Sequence, residues 1–207
     1  MVHRRELNGE VLVFGVHGAL WGNAMTWWDH GTGSVWSQPL GEAIVGPLKG
    51  AELEQFPVTL TRWSAWREAH PDTLALDAPA GFSGFALETM LIVVDFGEEA
   101  VGYRAVDIQE LGVINDIVAG LEIAVVGDPG DDQRWAVFSR RLDDEVVELE
   151  RVGLEIRDVR TGTVWEPNRG IALRGPLQGE VLDLLPGFTS FPGDFDTFWP
   201  DGERWLP

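Results

Sequence analysis

The chain has 207 residues, 44% of them hydrophobic, so it can bury a core and global disorder is excluded. Its formal net charge of −19 repels nucleic acid and anionic membranes, and we expect neither as a partner. The lack of cysteine excludes disulfides, thiolate metal sites and thiol catalysis. The chain as given has no export signal and no apolar run long enough to span a bilayer, which leaves its compartment undetermined.

Hydrophobic runs bounded by turn residues predict short strands and little helix in the first half of the chain. Thr61 is a candidate N-cap for a helix over residues 62–69, which places Trp63 and Trp66 on one helix face. The predicted strands cover residues 11–14, 24–29, 35–37, 43–45 and 74–76.

The second half continues the pattern after a Gly-rich connection. Asp107 is a candidate cap for one helical turn that ends at Leu111, and residues 128–132 read as an exposed turn. The predicted strands cover residues 90–96, 100–106, 121–126, 135–142, 146–149 and 154–157.

One sequence unit occurs twice, 129 positions apart, as Trp36 and Trp165 show. Residues 29–72 align without a gap with residues 158–201 through shared Gly, Pro, Leu and Trp positions, which chance does not place in register. Asp-x-x-Thr-Gly opens each copy and is typical of a turn, in which the Asp accepts backbone N–H groups.

The repeat predicts a mainly-β fold of two related β-rich units that form a barrel-like or sandwich-like core with one or two short helices. We expect a partial first unit (residues 1–77), a Gly-rich connection (78–89) and a complete but diverged second unit (90–207), together one compact domain.

The stretch F-G-V-H-G-A-L-W-G-N-A-M-T-W-W-D, which begins at Phe14, and the run W-S-Q-P-L-G-E-A-I-V-G-P-L-K-G, which ends at Gly50, resemble the family called domain of unknown function 3179. The T-R-W-S-A-W-R-E-A-H-P-D-T segment at Thr61 resembles it as well. The resemblance is strong over residues 14–76 and weaker over residues 93–205. It implies a fold family, and no agreed activity accompanies it.

Members of that family usually carry His-Glu-Ile-Val-Asn-Asp and Cys-Pro-x-Cys segments before the Phe-Gly-Val stretch. In the second unit the first segment corresponds to Leu111–Asp116, where only Asn115 and Asp116 remain, and the second falls near Asp128 without a thiol. The resemblance therefore implies no metal site and no cofactor here. The first unit starts beyond both segments, so we expect unpaired strand edges, closed by a homodimer contact or by a partner chain.

The candidate ligand-binding residues come from the Trp-rich first unit. Core packing is the ordinary use of such residues, and the alternative is an aromatic platform for a glycan or another small molecule, with acids that bond hydroxyl groups. No histidine pair has metal-ligand spacing, and no nucleophile or phosphate-loop motif is present. The predicted ligand-binding residues are Trp21, Trp28, Trp36, His17, Asp29 and Glu42, and no catalytic residue is assigned.

The sequence thus favours a non-catalytic binding or assembly domain over an enzyme. The alternatives are a carboxylate-dependent hydrolase or carbohydrate-active protein with a Trp-lined pocket, and a degenerate relative of a metal or redox protein.

Overall fold

A computed structural model describes residues 1–75 and 86–207 of the chain. Residues 1–75, called the first unit, contain six strands and one helix, and residues 86–207 are called the second unit. A short hairpin, β1–β2, precedes an antiparallel sheet of order β3-β4-β5-β6, here called the first sheet. The elements are β1 (Glu6–Leu7), β2 (Glu10–Val11), β3 (Phe14–Trp21), β4 (Ala24–Asp29), β5 (Val35–Ser37), β6 (Ala43–Val45) and α1 (Trp63–Ala69).

The second unit contains three larger sheets, of orders β18-β7-β8-β19, β11-β10-β9 and β14-β15-β16-β17. The last of these is called the second sheet below. A 3-10 turn, Leu87–Thr89, leads into β7. The elements are β7 (Leu91–Asp95), β8 (Ala100–Arg104), α2 (Ala105–Leu111), β9 (Val113–Val118), β10 (Leu121–Asp128), β11 (Asp131–Ser139), β12 (Arg141–Leu142), β13 (Glu145–Val146), β14 (Leu149–Val152), β15 (Glu155–Asp158), β16 (Val164–Trp165), β17 (Ala172–Arg174), β18 (Phe188–Ser190), α3 (Pro192–Phe198) and β19 (Glu203–Arg204).

The β9–β11 sheet forms the middle layer of the second unit. Side chains alternate between the two faces of a strand, so this sheet contributes to a core on each side. Ile123 and Val125 of β10 pack with β7, β8 and α2 in one core cluster. Their neighbours Ala124 and Val126 pack on the opposite face against the second sheet. A strand buried on both faces has no polar alternation, which explains the continuous apolar run in β10.

The first sheet has its own smaller core, built around Trp36, Ala43 and Leu53, with Leu12 beside them. These residues correspond in the second sheet to Trp165, Ala172, Leu182 and Val147, which lie in the core shared with β10 and β11. The cluster of the first sheet contains residues 7–53 only, so no layer equivalent to β9–β11 contributes to it among the described residues.

The mainly-β fold class is confirmed: the described residues form several open sheets, antiparallel except where β19 pairs with β8 in parallel, and three short helices. The core is sandwich-like, and these sheets do not close into a barrel. The strands predicted at 24–29, 35–37 and 43–45 have the observed bounds. The Gly-rich connection lies mostly outside the described residues, and the unit boundaries stay a prediction.

Several local predictions were wrong. Thr61 does not cap α1: the N-cap is Arg62, without a side-chain cap hydrogen bond, and the Thr61 hydroxyl has no partner among the described residues. Leu74 and Ala75 are not in a strand. Strand β9 was missed because its exposed and buried positions alternate weakly. Helix α3 was missed because Phe191 is not a capping residue and Gly193 is a poor helix former, although Pro192 is favoured at the first position of a helix.

Candidate functional site

Asp29 organises the turn between β4 and β5. Its carboxylate accepts hydrogen bonds from the Thr32 backbone N–H (2.6 Å), the Ser34 N–H (3.2 Å) and the indole Nε1–H of Trp36 (3.1 Å). Asp29 and Trp36 are fully buried. Burial disfavours the carboxylate, but these hydrogen bonds outweigh it and hold the pKa of Asp29 below its usual value. Both predicted site residues therefore form part of the scaffold.

The same turn recurs in the second unit around Asp158, which accepts bonds from the Thr161 N–H (2.8 Å) and the Thr161 hydroxyl (2.6 Å). The bonding differs in detail, since Asp158 also accepts from the Glu148 N–H (3.2 Å). It differs at the indole as well: the buried Nε1–H of Trp165 has no acceptor among the described residues. A turn built twice from the same residue types supports a structural role for these positions.

The remaining predicted site residues of the β3–β4 hairpin lie at different places along it. His17 Nδ1 is 3.1 Å from the Thr26 hydroxyl, inside an irregularity where residues 17–19 of β3 stand opposite Thr26 alone. Trp21 lies near the tip of the hairpin, where its ring contacts Phe198 of α3 at 5.3 Å between centroids. Trp28 stacks on His30 at 4.4 Å.

Glu42 is the sixth predicted residue, and it forms an isolated backbone bridge with Glu52 at the start of β6. The equivalent bridge in the second unit joins Ile171 and Val181, two apolar residues, so the bridge does not depend on a carboxylate. The structure does not gather the six predicted residues around one described cleft. Asp29 and Trp36 are in the core. His17, Trp21 and Trp28 lie along the β3–β4 hairpin, and Glu42 lies at the start of β6.

One edge of the second sheet is closed by a side chain that has no counterpart at the first sheet. Asn115 of β9 donates from Nδ2 to the Leu149 carbonyl (2.7 Å) and accepts from the Leu149 N–H at Oδ1 (3.0 Å). Phe14 takes the place of Leu149, because Phe14 pairs with Asp29 as Leu149 pairs with Asp158. No described residue places an amide side chain on Phe14.

The outer faces of the two sheets, which point away from their cores, differ in chemistry. Trp28 lies on the outer face, directly opposite Gly15 and Val35, because its neighbour Trp27 packs in the core. Three outer-face positions carry exposed apolar side chains in the first sheet and charged ones in the second: Val13 against Glu148, Trp28 against Arg157, and Val45 against Arg174. These three residues, Val13, Trp28 and Val45, are called the apolar face below.

Matching hydrogen bonds establish this correspondence. His30 N–H donates to the Val13 carbonyl (2.8 Å), and Val159 N–H donates to the Glu148 carbonyl (2.8 Å). On the second sheet, Glu155 accepts hydrogen bonds from both Arg157 and Arg174, and these bonds hold the pKa of Glu155 below its usual value. The second sheet therefore presents an ion-paired face to solvent, and the first sheet presents an apolar one.

Three described carboxylates have a shifted pKa, and in each the shift favours the ionised form. Like those of Asp29 and Glu155, the pKa of Glu122 is lowered, here through its hydrogen bond from Arg141. A general acid of the kind that the hydrolase alternative needs has a raised pKa instead. Among residues 1–75 and 86–207, no group of three or more His, Asp or Glu side chains has metal-binding geometry, and no helix is long and apolar enough to cross a membrane.

The charge difference between the two sheets could have been read from the sequence. Trp28/Arg157 and Val45/Arg174 stand 129 positions apart and belong to the aligned repeat, or directly precede it. The shared residues of the two copies predict the fold, whereas the residues that differ carry this signal. The correspondence of Val13 with Glu148 could not be read from the sequence. The β3–β4 hairpin is longer than its counterpart, so these two residues do not stand at the constant spacing of the repeat.

Comparison with known proteins identifies one family. Residues 1–86 match the model of the family described as Protein of unknown function (DUF3179), which confirms over this segment the family predicted from the Phe14–Gly50 stretch. No curated protein and no solved structure matches the chain.

Proposed function

Residues 1–86 belong to a family described as of unknown function. We propose that the chain is a non-catalytic assembly domain, which pairs with a second copy of itself through the apolar face. The observation that carries this proposal is the replacement of Glu148, Arg157 and Arg174 by exposed Val13, Trp28 and Val45 on an otherwise matching sheet. Contiguous exposed apolar residues mark interaction sites more often than single ones.

Charge favours this face over the rest of the surface for contact with a second copy. The chain carries a net charge of −19, so most approaches between two copies bring like charges together. The apolar face has no carboxylate among its three residues, and a twofold contact would place Trp28 of one copy near the same patch of the other. Trp is among the residues that contribute most to protein interfaces, because it buries a large rigid surface.

The face is a better contact than the exposed edge of β3. The irregularity at residues 17–19 interrupts the ladder of β3, and such bulges at sheet edges oppose strand-to-strand pairing. Side-chain packing on the outer face needs no backbone register.

Sedimentation velocity over the micromolar range tests the proposal. We expect a monomer–dimer equilibrium that shifts toward dimer as salt rises, because salt screens the repulsion between two acidic chains and leaves apolar burial intact. Trp28→Arg combined with Val45→Arg gives the first sheet the residues that the second carries, and we expect this variant to be monomeric.

The matched control is Arg174→Val, which makes the second sheet resemble the first at one position without touching the apolar face. It should not dissociate the dimer. A native chain that stays monomeric at all these concentrations, or a dimer that survives the double variant, would reject assembly through this face.

A further inference from the structure

A cleft of about 380 Å³ lies between α1 of the first unit and the turn that follows β16 of the second. It involves none of the residues of the apolar face. Its walls combine two aromatic rings with amide, carboxylate and guanidinium groups: the lining residues are Thr59, Trp66, His70, Arg134, Glu166, Asn168 and Arg169.

Asn168 supplies a buried acceptor that has no donor. The residue is 7% exposed, and its Nδ2 donates to Glu166 Oε1 (2.9 Å) and to Asp128 Oδ2 (3.0 Å). Two carboxylates can accept only from the NH₂ end, so they fix the orientation of the amide. Its Oδ1 is consequently directed elsewhere, and it is buried without a hydrogen-bond donor among the described residues.

Arg134 supplies the complementary group, a donor without an acceptor. Its Nη1 lies 3.5 Å from Asp128 Oδ2, the same oxygen that Asn168 contacts. Its Nε–H is buried and has no acceptor among the described residues. Buried polar atoms of native proteins are nearly always satisfied. An unmet acceptor and an unmet donor on two residues that line one cleft therefore leave two hydrogen bonds for a polar molecule to make.

Trp66 provides an apolar surface opposite these groups. Its indole Nε1–H donates to the Thr73 hydroxyl at 3.1 Å, and the His70 ring packs on it at 4.1 Å between centroids. These two contacts hold the indole in place, while Trp66 is 40% exposed and lines the cleft. A fixed, partly exposed indole is a stacking surface for a ring that presents C–H groups.

Several polar residues of the cleft differ in type from the residues at the equivalent positions of the first unit. Glu166, Asn168 and Arg169 occupy the positions of Ser37, Pro39 and Leu40 in the first unit. The equivalent turn folds there with an amide at a different position, Gln38, and without a carboxylate or a guanidinium. Their presence in the second unit is therefore not required by the scaffold, although they bond one another through Glu166, which also accepts from the Arg169 N–H at 2.7 Å.

We propose that this cleft binds a neutral sugar ring, which stacks on Trp66 and bridges Asn168 Oδ1 and Arg134 Nε through its hydroxyl groups. A hydroxyl group both donates and accepts, so neighbouring hydroxyls satisfy the two unmet atoms together. The charges at the cleft are balanced, because Arg134 and Arg169 face Asp128 and Glu166. A charged ligand would meet a like charge from either pair, and the net charge of −19 adds a further penalty for an anion.

The test is isothermal titration of the full chain with glucose, galactose, mannose, xylose and N-acetylglucosamine at up to tens of millimolar, with glucuronate as the anionic comparison. At least one neutral sugar should bind with millimolar affinity and more tightly than glucuronate. Trp66→Ala should weaken that binding roughly tenfold, because the stacking surface is lost, and Trp66→Phe should restore part of it. Arg134→Lys keeps the positive charge but removes the Nε–H, and it should weaken binding several-fold.

Trp63→Ala is the matched control, since Trp63 is the other exposed Trp of α1 and does not line the cleft. It should bind the sugar as the native chain does. Circular dichroism and the melting temperature of each variant separate loss of binding from loss of folding. Failure of every neutral sugar to bind, tighter binding of glucuronate, or equal effects of Trp66→Ala and Trp63→Ala would overturn the proposal.

Discussion

Trp36 donates its indole N–H to the buried carboxylate of Asp29 at 3.1 Å, and this bond is missing from the equivalent turn of the second unit, where Trp165 has no acceptor among the described residues. The two indoles occupy the same position of the repeat, and each is at most 2% exposed. The chain thus contains a natural comparison between a satisfied and an unsatisfied buried Trp in one scaffold.

We expect Trp36→Phe to destabilise the protein more than Trp165→Phe. Both changes remove similar apolar area, but only the first removes a hydrogen bond to a buried carboxylate, worth about 1.5–3 kcal/mol. Trp165→Phe eliminates an unmet donor, which offsets part of its packing loss. Urea unfolding gives the two free energies of unfolding, and equal losses would contradict this account of Asp29.

The lowered pKa of Asp29 predicts a stability contribution that depends on pH. Because the folded pKa lies below the unfolded value of about 3.9, the contribution is complete above that value and is lost as pH falls through the folded pKa. Asp29→Asn removes the charge and should cost roughly 1–3 kcal/mol at neutral pH. The difference in free energy of unfolding between the native chain and the variant should shrink as pH falls below about 4, whereas a constant difference would show that the charge is not involved.

Gly46 and Gly175 occupy equivalent turns at φ +103° and +113°, and an added Cβ at either position would lie 2.7 Å from the backbone Cα of Ser34 or Thr163. We expect Gly46→Ala and Gly175→Ala each to cost more than about 2 kcal/mol, because backbone contact adds to the strain of positive φ. Gly50→Ala is the control: Gly50 has φ +86° but no atom within 4 Å of the added Cβ, so it should show the strain alone. Thermal unfolding ranks the three, and a cost for Gly50→Ala as large as the others would refute the steric argument.

The Asn115–Leu149 contact should protect the edge of the second sheet. Asn115→Ala leaves both the N–H and the carbonyl of Leu149 without their side-chain partner, and we expect a loss of roughly 2 kcal/mol. Hydrogen exchange should accelerate at the amide of Leu149 more than at the amides of β10. Asn115→Asp keeps the acceptor for the Leu149 N–H, so exchange there should stay slower than in Asn115→Ala.

The sequence by itself determined the local elements that depend on local chemistry. The Asp29 turn, strands β4 to β6 and the equivalent turn at Asp158 follow from side-chain-to-backbone bonding and from residues that tolerate positive φ. The mainly-β class followed from the short, turn-bounded apolar runs. These features need only neighbours within a few residues, so a pattern of residue types is enough to predict them.

Only the tertiary structure decided which side chains meet across the chain. It placed Asp29 and Trp36 in the core, where they bond each other, although their residue types fit core packing and ligand binding alike. It brought Asn168 beside Arg134, and both opposite Trp66, through pairings that the spacing along the chain does not encode. The residues that differ between the two sheets are visible in the aligned sequence, but only the structure showed that they are exposed on one side and ion-paired on the other. Burial and unmet hydrogen bonds are properties of the packed molecule, so they could not be read from the sequence.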